Sequence, residues 1–129
     1  MRLLGVDFGK SKIGLAYSEG MLASPLSVIH VKTKKGAVVE ITAICSRLNI
    51  EKIIFGLSGG VLDKEVRSLG AALEKRAHIS IGFVDEAFTS KDAIKKMVEA
   101  KTTQKKRREF EDAVAATVIL NTYIEQNQT

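Results

Sequence analysis

The side chains in this chain best suited to chemistry are carboxylates at the ends of short apolar stretches and near the start of a late one. Asp7 closes RLLGVD, Asp85 and Glu86 follow ISIGFV, and Asp112 opens the apolar half of FEDAVAATVIL. Carboxylates that meet at one edge repel strongly unless cations neutralise them. Hard oxygen donors suit Mg²⁺ or Mn²⁺. Two such ions about 3.5–4 Å apart can activate a water and stabilise the leaving oxygen of a phosphodiester. Each residue also has a plainer reading. Asp7 can start the turn FGKSK by accepting from nearby N–H groups, Asp85 can act as a turn or capping partner, and Asp112 can favour a helix N-terminus. The capping reading is preferred for Asp85, because adjacent strand residues point to opposite faces and only a backbone turn would bring both carboxylates to one site. Glu86 is taken as a ligand in company with Asp7. Asp112 is preferred to Glu111 because Asp112, Ala116 and Ile119 lie along one helical stripe, with Glu111 on a solvated face.

Positive charge gathers close by. Lys105, Lys106, Arg107 and Arg108 immediately precede Asp112, with Lys95, Lys96 and Lys101 upstream, while Lys10 and Lys12 follow Asp7. Such a run beside carboxylates suits a phosphate backbone, although runs of this kind also serve as solvated loops. Gly9 and Gly14 leave backbone bare for a phosphate to approach. Ser58-Gly59-Gly60, between a strand and a helix, offers N–H groups to an anion or simply makes a turn. There is no Trp, and Tyr17 and Tyr123 are far apart, so no stacking platform for single strands is marked. The expectation is recognition of shape and backbone. His30 and His78 lack nearby partners, Cys45 belongs to an apolar helical stripe, and no zinc spacing or Ser-His-Asp set is visible.

Hydrophobic periodicity supplies the elements that must carry these groups. Strands are expected over 2–7, 13–18 and about 24–31, with Pro25 near the start of the third. Helix spacing follows from Val38 to Leu48, a strand over 53–57, a helix from Val61 to Ala77, a strand over 79–84, a helix from about Ser90 to Ala100, and a longer one to about Gln126. Thr89-x-x-Asp92 resembles a capping box for the penultimate helix. Turn-linked strands pair as an antiparallel meander, and strand–helix–strand units demand parallel crossovers. The result is an α/β fold with a five-stranded mixed sheet and helices packed on it, an order that matches the ribonuclease H-like fold with the first strand central.

Composition agrees. The 129 residues make one domain, 1–129, and 45% hydrophobic content is enough to build a core. No apolar run nears the roughly 20 residues of a membrane span, and the N-terminus lacks the pattern of a signal peptide. The single Cys45 fits a reducing cytosol, so a cytoplasmic location is expected. A net charge of +5 favours a polyanionic partner.

GVDFGKSKIGLAYS, VDEAFTS and EDAVAATVIL, in this order and spacing, resemble the YqgF (RuvX) family of ribonuclease H-like proteins over residues 3–120. The resemblance implies a nuclease that processes the precursor of small-subunit (16S) ribosomal RNA. It also implies a Holliday junction resolvase-like alternative, by similarity to RuvC. The family's acidic positions fall on Asp7, Glu86 and Asp112, as catalytic residues and ligands of Mg²⁺ or Mn²⁺. The implied partners are structured RNA or branched DNA, bound by a monomer or a homodimer. Ala87 stands where the family usually has Arg, Phe88-Thr89-Ser90 where it commonly has Leu-Thr-Thr, and Ser58 where a Gly-Leu-Pro loop has proline. The missing Arg removes a cationic fork suited to phosphate, which keeps a non-catalytic nucleic-acid-binding module among the readings. Asp7-Phe8-Gly9 is also similar to the opening turn of actin-like sugar kinases and ATPases, but a single domain cannot form their two-domain cleft.

Overall fold

The computed structural model describes residues 1–88 and 104–127. The helix expected from Ser90 to Ala100, its Thr89–Asp92 cap and Lys95, Lys96 and Lys101 lie outside the described residues. Strands β1 (Leu3–Phe8), β2 (Lys12–Ser18), β3 (Ala23–His30), β4 (Lys52–Leu57) and β5 (Ser80–Asp85) form one sheet in the order β3-β2-β1-β4-β5. β1 is antiparallel to β2, and β2 to β3; β1 is parallel to β4, and β4 to β5. The expected ribonuclease H-like arrangement, with the first strand central, is therefore observed.

Alternation along the strands divides the core in two. Leu4, Val6, Ile53 and Phe55 face helices α1 (Lys34–Leu48) and α2 (Asp63–Ala77), packing with Ile41, Cys45, Leu69 and Leu73. Leu3, Ala16, Ile54 and Val84 face helix α3 (Gln104–Gln126), packing with Ala116, Ile119, Leu120 and Ile124. Both parallel crossovers therefore lie on one face, leaving the other to α3. Asn121 Oδ1 accepts from the Ala23 N–H at 2.9 Å and ties α3 to the edge strand. No helix among the described residues is long and apolar enough to cross a membrane.

Element limits depart from the periodic reading where charge or capping decides them. α1 begins at Lys34 rather than at Val38, because Thr33 caps it: its Oγ1 accepts from the Gly36 N–H at 3.0 Å. Thr33→Ala is expected to lower stability by about 1 kcal/mol in urea unfolding. α2 begins at Asp63, after an almost fully exposed Val61. α1 and α2 end on left-handed residues, Asn49 and His78, so His78 is the residue that closes a helix. Cys45 is packed in the core as expected, and burial pushes its thiol up to about 11. Pro25 lies in the edge strand beside a bulge, where Leu15 faces Ser27 but Ala16 faces Pro25.

Candidate active site

Asp7 lies near the carboxyl end of the central strand, paired with Gly14 of β2. Its place in the alternation with Leu3 and Gly5 puts it on the α3 face. β1 and β4 pair only as far as Val6 and Phe55, while β4 and β5 continue to Leu57 and Asp85. The sheet thus stops pairing on one side of β1 where Asp7 stands.

Glycines on three adjacent strands let α3 settle onto this end of the sheet. A Cβ on Gly14 would overlap the main-chain carbonyl of Asp112. A Cβ on Gly5 would stand 2.8 Å from the Ala116 carbonyl oxygen, and one on Gly56 would stand 2.6 Å from Ile119 Cδ1 and 2.9 Å from Glu86 Oε1. At Gly14 and Gly5 the clash is with the helix main chain, so larger residues there would hold the helix off, whereas at Gly56 it is with side-chain atoms of Ile119 and Glu86. The close seat brings the half-buried Asp112 to Asp7, while Glu111 stays exposed. Asp112 is well inside α3 and caps nothing.

Glu86 reaches the same place by a turn of the chain. β5 ends at Asp85, and a single 3-10 turn, Glu86–Phe88, follows. The exposed Asp85 makes that turn, its Oδ1 accepting from the Ala87 N–H at 2.9 Å. This is the turn role preferred for it, and it removes the objection that neighbouring strand residues face opposite ways.

The electrostatic result centres on Asp7. Burial first, then the charge of Glu86 and that of Asp112, push its pKa from 3.8 up to about 7. A largely desolvated carboxylate that feels the charge of two others is short of positive charge, and carboxylate oxygens are donors that suit a hard divalent cation. Among the described residues no three His, Cys, Asp or Glu side chains are already gathered to hold a metal ion on their own.

Two backbone features do other work than expected. The N–H groups of Ser58 and Gly59 donate to the Asp63 carboxylate at 3.0 and 2.9 Å, so the loop before α2 is tethered by its own acid instead of offering these groups to a phosphate. Gly14 admits α3, and the Gly9 N–H closes the β1–β2 hairpin on the Lys12 carbonyl at 3.0 Å. Of the expected phosphate contacts, Lys10 is exposed in that hairpin and Lys12 is half-buried at the start of β2. Lys105, Lys106, Arg107 and Arg108 occupy the opening turns of α3, so the run is helical and leads directly to Asp112. Sequence reasoning missed Asp63, whose place one residue into the helix after a Ser-Gly-Gly loop was the available signal.

The model of the family RuvX, described as Holliday junction resolvase, matches residues 1–126. A protein of Protochlamydia amoebophila named "Putative pre-16S rRNA nuclease" is 35% identical, covering 96% of this chain and 93% of its own. A protein of the same name from Syntrophomonas wolfei is 32% identical over 97% of this chain and 94% of its own. Among solved structures, RuvC of T. thermophilus in complex with a Holliday junction substrate superimposes with TM-score 0.64 at 15% identity, covering 100% of this chain and 98% of that one. The fowlpox virus resolvase, solved with Holliday junction DNA, gives 0.68 at 12% identity, covering both chains fully at 100%. At these identities the structural likeness speaks to the fold.

Proposed function

From the premise that this chain belongs to the RuvX family, we propose that it is a divalent-metal-dependent endonuclease of structured RNA that acts on the precursor of 16S ribosomal RNA in the cytoplasm. The observation that supports this most is the raised pKa of Asp7, caused in part by the charges of Glu86 and Asp112. Residues from the first strand, the exit of the last strand and the final helix act electrostatically on one another there. The relatives' names supply the substrate.

In this reading Asp7, Glu86 and Asp112 hold Mg²⁺ or Mn²⁺. When bound, the metal supplies activation of the attacking water and stabilisation of the leaving oxygen. Asp7 presents its carboxylate from the most enclosed strand of the sheet, and Glu86 approaches over the bare backbone of Gly56. Lys105, Lys106, Arg107 and Arg108, with Lys10 and Lys12, are the residues that would neutralise substrate phosphates.

The test is cleavage of a precursor 16S fragment with Mg²⁺ or Mn²⁺ by the wild type and by Asp7→Asn, Glu86→Gln and Asp112→Asn. Each variant is expected to lose on the order of 10²-fold or more in rate, the scale of a removed electrostatic group in an active site. Equal activity in wild type and Asp7→Asn would sink the mechanism. A four-way DNA junction offered in parallel decides the second reading, which the family description favours. Paired symmetric cuts by a dimer would make the protein a junction resolvase. Binding without cleavage of either substrate, and without metal uptake, would make it a passive nucleic-acid-binding module.

A further inference from the structure

On the opposite face of the sheet from Asp7, the next residue, Phe8, forms part of the floor of a cleft of about 370 Å³. Val31, Ala37 and Leu69 complete this apolar floor, and Lys10, Lys32, Lys34 and Lys64 stand round it. Glu65 is the one carboxylate among the lining residues, so the cleft has an excess of positive charge. The lysines come from four separate places: the β1–β2 hairpin, the β3–α1 connection, the first turn of α1 and the first turn of α2. Lys34 Nζ donates to Ser68 Oγ at 2.6 Å, which holds the ammonium across the gap between the two helices. An ammonium has three N–H groups, so this bond leaves donors for a ligand.

A cationic rim over an apolar floor suits a group that is anionic at one end and carbon-rich at the other. The size is that of an ordinary small-ligand pocket. Because Phe8 follows Asp7 directly, the cleft opens at the same end of β1 as the carboxylates. We propose that this cleft holds one sugar-phosphate unit of the nucleic-acid strand away from the cleaved bond, with its phosphate between Lys34 and Lys64 and its sugar against Phe8. The inference rests on the nuclease reading for the identity of the strand and adds a second phosphate contact on the far face of the sheet.

The experiment measures binding of a fluorescein-labelled single-stranded oligoribonucleotide by anisotropy in EDTA, from low to moderate salt. The proteins are the wild type, Lys34→Ala/Lys64→Ala, and Lys75→Ala. All three lysines are exposed, and Lys75 lies in the last turn of α2, so its removal measures the effect of one surface charge lost away from the cleft. The double variant is expected to bind more weakly, with the slope of log K against log salt shallower by about 0.7 for each lysine removed, the value for a single strand. Lys75→Ala is expected to keep the wild-type slope. Wild-type affinity and slope in the double variant, or an equal loss in Lys75→Ala, would overturn the cleft. Cleavage is scored separately. A protein that cuts nothing but binds with this lysine-dependent slope disproves the nuclease and keeps the cleft, and one that cuts normally with no lysine dependence does the reverse.

Discussion

Asp7→Asn is expected to melt well above the wild type at pH 8 in EDTA, by on the order of 10 °C, and to match it near pH 4. In the native protein Asp7 keeps its proton up to about pH 7, whereas in the unfolded chain it loses it near the ordinary 3.8. Between those two values the native state binds more protons than the unfolded state, so stability falls as pH rises. Above pH 7 the loss is complete. The gap corresponds to a penalty of up to about 4 kcal/mol for holding Asp7 ionised. For a domain of this size each kcal/mol moves the melting temperature by roughly 3–5 °C. Asn is the neutral isostere of the protonated acid, so it escapes the penalty at high pH and gains nothing at low pH. The repulsion from Glu86 and Asp112 is already part of that penalty, so its relief is included in the expected gain. Addition of Mg²⁺ at pH 8 is expected to raise the wild-type melting temperature and leave that of Asp7→Asn nearly unchanged. Thermal melts at the two pH values check all of this, and a variant no more stable than wild type at pH 8 would show that Asp7 bears no such burden.

Gly14→Ala is expected to destabilise the protein by about 2–3 kcal/mol, the upper part of the range for overpacking a close contact. The new Cβ meets the main chain at Asp112, which cannot rotate away as a side-chain tip would. The helix must lift or slide at that turn, carrying the Asp112 carboxylate off Asp7. Gly5→Ala presses on the Ala116 carbonyl and Leu120 Cβ, farther along the helix and deeper in the second core. It is expected to cost similar stability while disturbing Asp112 less. The distinguishing measurement is cleavage at a temperature where both variants remain folded. Gly14→Ala should lose far more activity than Gly5→Ala, and equal losses would detach Gly14 from the site.

The strands and the helical core faces were legible because burial enforces their periods. Leu4 and Val6 against Leu3 and Gly5 is a simple alternation, and Val66, Leu69 and Leu73 fall at helical spacing. The opening of α1 was hidden because Lys34 and Lys35 carry no apolar signal; a single side-chain bond from Thr33 decides it. Asp7 and Glu86 could be picked out because each stands where a strand ends or the chain turns, and Asp112 because it shares a helical stripe with Ala116 and Ile119. The meaning of the glycines could not. Gly14 follows Asp7 by a hairpin and looks like open backbone, and only the docking of a helix from the far end of the sequence shows what covers it. Apart from Lys10, already named as a phosphate contact, the cleft lysines escaped for a related reason. Lys10, Lys32, Lys34 and Lys64 form no run, and it is the return of β3 and the two helices to one end of the sheet that assembles them.

The separation of Asp7 and Asp112, in the first strand and the last described helix, also governs when a working enzyme first exists. Synthesis can complete β1 to β5 and the core beneath α1 and α2 while Asp112 is still to be added. Such an intermediate exposes the apolar side formed by Leu3, Ala16, Ile54 and Val84 and has no helix to complete the acidic cluster. Docking of α3 covers that surface and delivers Asp112 in the same event. On the proposed mechanism a nascent or clipped chain therefore cannot yet cut RNA, since chain topology withholds Asp112 until α3 has seated.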